Sequence, residues 1–187
     1  ISMTTETYKP SIINICKPDL QALLKEVTLL DPVHNSRYVN TDIGNGRLYA
    51  DIFKPVARYV PQRKKWFIFD GKRWTSDVGS LKAMELCKNL ADVLLYYSSS
   101  IADEKTRLDY LKECCGKWQN RHYREIYLKE AESVYPIEYS TFDSNKYLFN
   151  CNNGTLNLKT FEFYKHKSED YITKISKTDY DQKPARA

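Results

Sequence analysis

The sequence predicts an α+β domain, with antiparallel β-hairpins at both ends of a central three-helix segment. Three observations carry this reading. Residues 66–74, Trp-Phe-Ile-Phe-Asp-Gly-Lys-Arg-Trp, form an aromatic run that turns at Asp70-Gly71 and returns through a second tryptophan. Asp-Gly between apolar runs is a hairpin signal, because the turn needs φ > 0 and glycine supplies it without strain. Residues 147–158 hold a second sharp turn at Asn153-Gly154, and Thr155, Leu156, Asn157 and Leu158 alternate with the period of a strand. Between the two, apolar residues recur at helical spacing. Strands, then helices, then strands again is the order of an α+β domain rather than of a doubly wound parallel sheet.

The elements follow in chain order. Pro18 to Val27 starts a helix, with Lys17 or Asp19 near its cap and Leu20, Leu23, Leu24 and Val27 on one face. Asp31-Pro32 stops it, and His34-Asn35-Ser36 reads as a linker. Thr41 to Leu48 is a turn leading into a short helix that buries Leu48, Ile52 and Phe53 and ends at Pro55. Gly44-Asn45-Gly46 is read as a flexible turn. Strands are expected at about 57–61, 65–70 and 72–76. Ser80 is placed to cap a helix over about 80–98, with Met84, Cys87, Leu90, Ala91, Leu94 and Leu95 inward. Asp103 caps a second helix with Leu108, Leu111, Cys115 and Trp118 inward. A third helix covers about 121–134, burying Ile126, Tyr127, Ala131 and Val134, and Pro136 closes it. Further strands are expected at 161–164 and 171–175.

With 187 residues and 42% hydrophobic content the chain can bury one core, not two. A net charge of +5 and a pI near 8.8 suit nucleic acid without requiring it. The five cysteines, Cys16, Cys87, Cys114, Cys115 and Cys151, are odd in number and include an adjacent pair. They make a poor disulfide framework and no zinc spacing, so they read as small buried hydrophobes in a reducing compartment. No apolar run approaches the roughly 20 residues of a membrane span, and no secretory apolar region opens the chain. A cytoplasmic protein is expected, without membrane contact. The ending Lys183-Pro184-Ala185-Arg186-Ala187 reads as a cut within a longer protein.

Nucleotide and hydrolase motifs are missing. Gly71-Lys72 and Gly116-Lys117 lack the earlier glycine and the Ser/Thr of a P-loop, and no His-Glu-x-x-His or Gly-x-Ser-x-Gly occurs. Asp179-Tyr180-Asp181 is an acid-x-acid pair that could share Mg²⁺, or two solvated acids. His122, between Arg121 and Tyr123, reads as a surface histidine rather than a general acid–base. The chemistry that stands out is basic. Arg58, Arg63, Lys64, Lys65, Lys72 and Arg73 surround the first hairpin, where basic side chains interleaved with aromatics suit phosphates and bases. Trp66, Phe69 and Trp74 themselves read as core, and the cations either contact phosphates or form a solvated rim. Lys112, Lys117, Arg121, His122 and Arg124 form a second basic set, which either extends that surface or is a helix face balanced by Glu113 and Glu125.

In their order, Thr41-Asp42-Ile43-Gly44-Asn45 with Arg47-Leu48, Arg58-Tyr59-Val60, Lys65 to Trp74, Leu148 to Leu158, and Asp170 to Lys174 carry a resemblance. Over residues 40–181 the chain resembles the domain preceding the superfamily 3 helicase in phage and plasmid primases, related to the poxvirus primase-helicase. The resemblance implies residues 1–40 as an amino-terminal extension or linker with a short helix, 41–181 as the central domain, and 182–187 as a linker towards a helicase. It implies a replication protein of a phage, plasmid or other mobile element in a bacterial cell. Within it this part would be a non-catalytic DNA-binding or assembly module beside an ATP-driven, Mg²⁺-dependent helicase. It would need no cofactor of its own, and its partners would be single-stranded or forked DNA, the adjacent helicase and further copies of the chain. The candidate DNA contacts are Arg63, Lys64, Lys65, Lys72, Arg73, Lys117, Arg121 and Arg124. The other reading is a metal-dependent primase or nucleotidyltransferase fragment using Asp179 and Asp181. The family's ATP-binding motifs have no counterpart here.

Overall fold

The computed structural model of the protein describes residues 19–181 and 183. Expectations that fall on Cys16, Lys17 and Pro18 lie outside the described residues. Helices α1 (Leu20–Leu30) and α2 (Asp42–Phe53) come first. They are followed by an antiparallel sheet of β1 (Ala57–Val60), β2 (Lys65–Phe69) and β3 (Trp74–Ser76). The helical middle is α3 (Leu81–Ser98), α4 (Glu104–Tyr110), α5 (Gly116–Gln119) and α6 (Arg121–Ala131). A second antiparallel sheet closes the domain, with β4 (Leu148–Cys151), β5 (Gly154–Asn157) and β6 (Glu162–Tyr164). The fold is therefore α+β, with sheets flanking the helical segment.

Capping explains where the helices start. Asp19 accepts from the amides of Gln21 and Ala22 at 3.1 Å each, and Leu23 and Val27 then bury against the core shared with α3. Thr41 Oγ1 accepts from Gly44 N at 3.1 Å, so α2 begins at Asp42. The expected flexible turn at Gly44-Asn45-Gly46 is thus helix. Its glycines are there for close approach: a Cβ on Gly44 would lie 1.9 Å from the Val39 carbonyl oxygen, and one on Gly46 2.5 Å from Glu130 Cβ, where α2 crosses α6. Ser80, expected to cap α3, makes no capping bond. The cap is the buried Asp77, whose carboxylate accepts from Lys82 N at 3.1 Å and Ala83 N at 2.8 Å. Asp103 caps α4 as expected, accepting from Thr106 N at 2.8 Å.

Between α4 and α5 the chain makes a π-helical turn, Leu111–Cys115. Its wider repeat displaces the buried stripe. Cys114, Cys115 and Trp118 are buried, whereas Leu108 and Leu111, expected inward, are 54% and 41% exposed. Leu95 of α3 is also exposed, at the rim of its stripe. The helix that starts at Arg121 ends at Ala131 rather than at 134. The four described cysteines, Cys87, Cys114, Cys115 and Cys151, are buried and free, and burial pushes the Cys114 thiol up to about 11.

The first sheet lies between two aromatic layers. Trp66 meets Tyr49 of α2 edge-on at 5.7 Å, while Phe67 stacks on Phe142 at 5.0 Å from the other side. The turn between β2 and β3 spans Asp70 to Arg73. Asp70 Oδ1 accepts from the amides of Lys72 and Arg73 at 2.9 Å each, and Gly71 has φ 98°. Gly71→Val places a β-branched residue in that region and is expected to cost about 1–3 kcal/mol. Urea unfolding checks it, and an unchanged midpoint would contradict the turn geometry.

The second hairpin departs from expectation. Cys151 pairs with Gly154, so the turn residues are Asn152 and Asn153. Gly154 does not have positive φ. It is needed because a Cβ there would sit 2.6 Å from the Tyr164 carbonyl oxygen and the Phe163 ring. The strand expected at 171–175 does not form. Tyr171 is left-handed at φ 48°, and the segment after it has no regular secondary structure. Ile172 O accepts from Trp74 N at 2.8 Å, and Asp143 takes both the amide and the hydroxyl of Thr173.

Candidate nucleic-acid interface

The basic hairpin divides in three dimensions. A short 3₁₀ turn, Pro61–Arg63, ends in Lys64 at φ 51° and feeds β2, leaving Arg63, Lys64 and Lys65 exposed. Arg63 and Lys65 line one open groove with Arg73, which arrives from the β2–β3 turn. Thr75, Ser76 and Thr173 line the same groove, the Thr75 hydroxyl donating to the Ile68 carbonyl and the Thr173 hydroxyl to Asp143, and Tyr139 forms part of its wall. Arg73 is half-exposed, 4.0 Å from Asp70 and 3.4 Å from the Thr173 carbonyl oxygen, so it is held loosely. Cations around a groove can neutralise and hydrogen-bond phosphate oxygens.

Two of the hairpin cations have other duties. Lys72 Nζ donates to Asn152 Oδ1 at 2.7 Å, and the Lys72 carbonyl accepts from Asn150 Nδ2 at 3.0 Å, which joins the two sheets. Arg58 donates from Nε to the Tyr135 carbonyl at 2.8 Å and from Nη1 to the Tyr171 hydroxyl at 3.2 Å. It braces the chain after α6 against the first sheet.

Lys117, Arg121 and Arg124 sit at the α5–α6 corner, and none of them lines the groove. Arg121 pairs with Glu125 at 2.7 Å. Lys117 lies 5.6 Å from the centre of the Tyr123 ring. Arg124 donates to the Trp118 carbonyl at 2.8 Å, filling an orphan acceptor at the end of α5. His122 is exposed beside Tyr123.

Trp66, Phe69 and Trp74 are 3%, 1% and 1% exposed, which makes them core and removes their faces from any ligand. The exposed ring of the groove is Tyr139, which the sequence reading passed over. It opens a short 3₁₀ turn, Tyr139–Thr141, after Pro136 in a stretch that carries no motif, and only the fold brings it to Arg63.

Asp179 and Asp181 are exposed near the end of the described chain. Asp179 Oδ1 accepts from Asn152 Nδ2 at 2.8 Å, and Asp181 Oδ1 from the amide of Lys183 at 2.8 Å. Asn153 meanwhile exchanges two bonds with the backbone of Tyr180, at 2.9 and 3.0 Å. The contacts of Asn152 and Asn153 lash Asp179 and Tyr180 to the second hairpin. Among the described residues no group of three or more His, Cys, Asp or Glu side chains gathers as metal ligands, and no helix is long and apolar enough to cross a membrane.

Among curated proteins no significant match to the chain is found. The sequence profile of the family described as D5 N terminal like matches residues 46–187. That span takes in the first sheet, the helical middle and the second sheet, and the chain belongs to this family, the domain that precedes the superfamily 3 helicase in primase-helicase proteins.

Proposed function

We propose that this domain is a non-catalytic DNA-binding and assembly module of a phage or plasmid replication primase-helicase, placed before the ATP-driven helicase. The observation that carries the reading is the groove where Arg63, Lys65 and Arg73 converge. Arg63 and Lys65 flank a turn and Arg73 closes another, so cations from two turns face one groove, as a surface for a nucleic-acid backbone requires. Family membership supplies the replication context. Lys and Arg on turns position a backbone rather than read its sequence, so the expected contacts are to phosphates. Lys64, exposed beside the groove, adds to the same field.

The test is a variant with Arg63→Ala, Lys65→Ala and Arg73→Ala, titrated with DNA at several salt concentrations. Each lost phosphate contact lowers the slope of log K against log salt by about 0.7 to 0.9. Three lost contacts are expected to lower it by about 2 to 3. A variant with the affinity and salt slope of the parent removes the groove from the binding surface, and Lys117 and Arg121 become the next residues to neutralise. A parent that binds no DNA at low salt refutes the DNA-binding reading.

A further inference from the structure

We infer that the groove takes single-stranded DNA, with an unpaired base stacked on the surface made by Tyr139 and Arg63; this rests on the DNA-binding reading above. Tyr139 is 41% exposed, yet it is fixed from behind. Its amide donates to Gln62 Oε1 at 3.3 Å. Its ring meets Phe67 edge-on at 6.1 Å and Phe142 at 6.2 Å, and those two rings are themselves stacked at 5.0 Å. The Arg63 guanidinium lies over the Tyr139 ring, 4.0 Å from its centre. A base entering the groove therefore meets a preformed pile of one ring and one planar cation. Both stack on nucleobases, and little ordering entropy is left to lose on binding.

The surroundings decide which form of DNA can use this surface. Lys65 and Arg73 stand in the same groove, so phosphates have partners beside the platform. In a duplex the faces of interior bases are covered by their neighbours, and a ring at the wall of a groove gains nothing from them. In a single strand one base can turn onto the Arg63–Tyr139 pile while its flanking phosphates sit on Lys65 and Arg73. A purely electrostatic surface would not distinguish the two forms in this way. The platform gives the groove a preference for unpaired DNA without sequence readout, since every base has a π-face.

The experiment uses the full chain and an oligodeoxynucleotide carrying 2-aminopurine, whose fluorescence reports stacking, as a single strand and as a duplex. The parent is expected to bind the single strand more tightly and to change the probe's fluorescence. Tyr139→Leu keeps an apolar side chain against Phe67 but removes the ring. It is expected to weaken single-strand binding by about tenfold, within the roughly 5- to 150-fold range of one lost base–aromatic stack. Duplex affinity and the salt slope should stay as in the parent, because no charge is lost, and the fluorescence change should vanish. Tyr139→Phe should restore all three properties. Equal affinity of the parent for single strand and duplex overturns the inference whatever the stability of the variants. So does a Tyr139→Leu variant that binds the single strand as the parent does, or that weakens both forms alike. If the charge-neutralised variant weakens binding while Tyr139→Leu does not, the groove stands and only the platform falls. If the parent binds neither form, both fall.

Discussion

Asp51→Ala is expected to destabilise the protein by about 2–4 kcal/mol at neutral pH. The Asp51 carboxylate, on α2, takes four bonds. Oδ2 accepts from Arg37 Nε at 2.6 Å and the Tyr38 hydroxyl at 2.7 Å, and Oδ1 accepts from Arg37 Nη2 at 3.0 Å and the Tyr135 hydroxyl at 2.7 Å. One side chain thus fastens α2 to the turn before it and to the segment after α6. Removing it leaves two phenols and a guanidinium without their acceptor. Breaking a fully buried pair costs about 3–5 kcal/mol. The lower figure applies here because the Arg37 side chain is 41% exposed and can be rehydrated, while that of Asp51 is only 12% exposed.

The same site gives a pH signature. Burial pushes the Asp51 carboxyl up, but the hydrogen bonds from Arg37, Tyr38 and Tyr135 and the charge of Arg37 outweigh it, and the group titrates below the ordinary carboxylate value. A carboxyl depressed in the folded state contributes stability above its unfolded pKa, about 3.9, and loses that contribution as pH falls through the folded value. The stability gap between parent and Asp51→Ala should therefore be full at pH 7 and narrow below about pH 4. At the alkaline end, burial and the bond to Asp51 push Tyr38 up to about 12. Its contribution is complete below about pH 10, the unfolded value, and is lost as pH rises towards 12. Urea unfolding of both proteins at pH 7 and pH 3 checks the acid limb. A gap of the same size at both values would mean that Asp51 acts through packing rather than through its charge.

Much of the fold was legible because its signals are local. The β2–β3 hairpin, the Asp103 cap and the long helix over 80–98 each follow from a few adjacent residues, and family membership was readable from short motifs kept in order. The failures share a physical cause, which is tertiary contact overriding local preference. Gly44-Asn45-Gly46 reads as a loop by propensity, yet two glycines in a helix interior are tolerated where they let Val39 and Glu130 approach. Tyr171 to Ile175 has strand composition, but Asp143 holds Thr173 and the left-handed Tyr171 bends the chain away from pairing. The candidate site shows the same division. Arg63, Lys65 and Arg73 come together as their adjacency suggested, but Lys72 turns to Asn152 in the turn of the second hairpin, a partner that no sequence pattern marks. Tyr139 reaches the groove only through the return of the chain after α6.

The π-turn at Leu111–Cys115 was the least readable feature, because one extra residue per turn leaves no compositional mark, and the largest expected effect depends on it. It turns Trp118 inward, where the ring is fully buried, 4.8 Å from Tyr127. Trp118→Ala is expected to cost about 3–5 kcal/mol, the range for emptying a buried aromatic site. The indole also makes a directed bond, donating from Nε1 to Asn45 Oδ1 at 2.9 Å, while the Cys114 thiol approaches the same oxygen at 3.9 Å. Asn45 is itself 1% exposed, so Trp118→Phe leaves a buried acceptor with only a weak thiol donor, at about 1–3 kcal/mol. Packing and hydrogen bonding separate in a double-mutant cycle of Trp118→Phe with Asn45→Ala, read by urea unfolding. If the bond fastens α2 to α5, the double variant should be more stable than the sum of the two single losses allows, since the second change removes a partner already lost. Strict additivity would assign the whole cost of Trp118→Phe to shape. A coupled pair would mean that the inserted turn serves to aim one indole at one amide, which explains how an Asn between two glycines can sit inside a helix at the centre of the core.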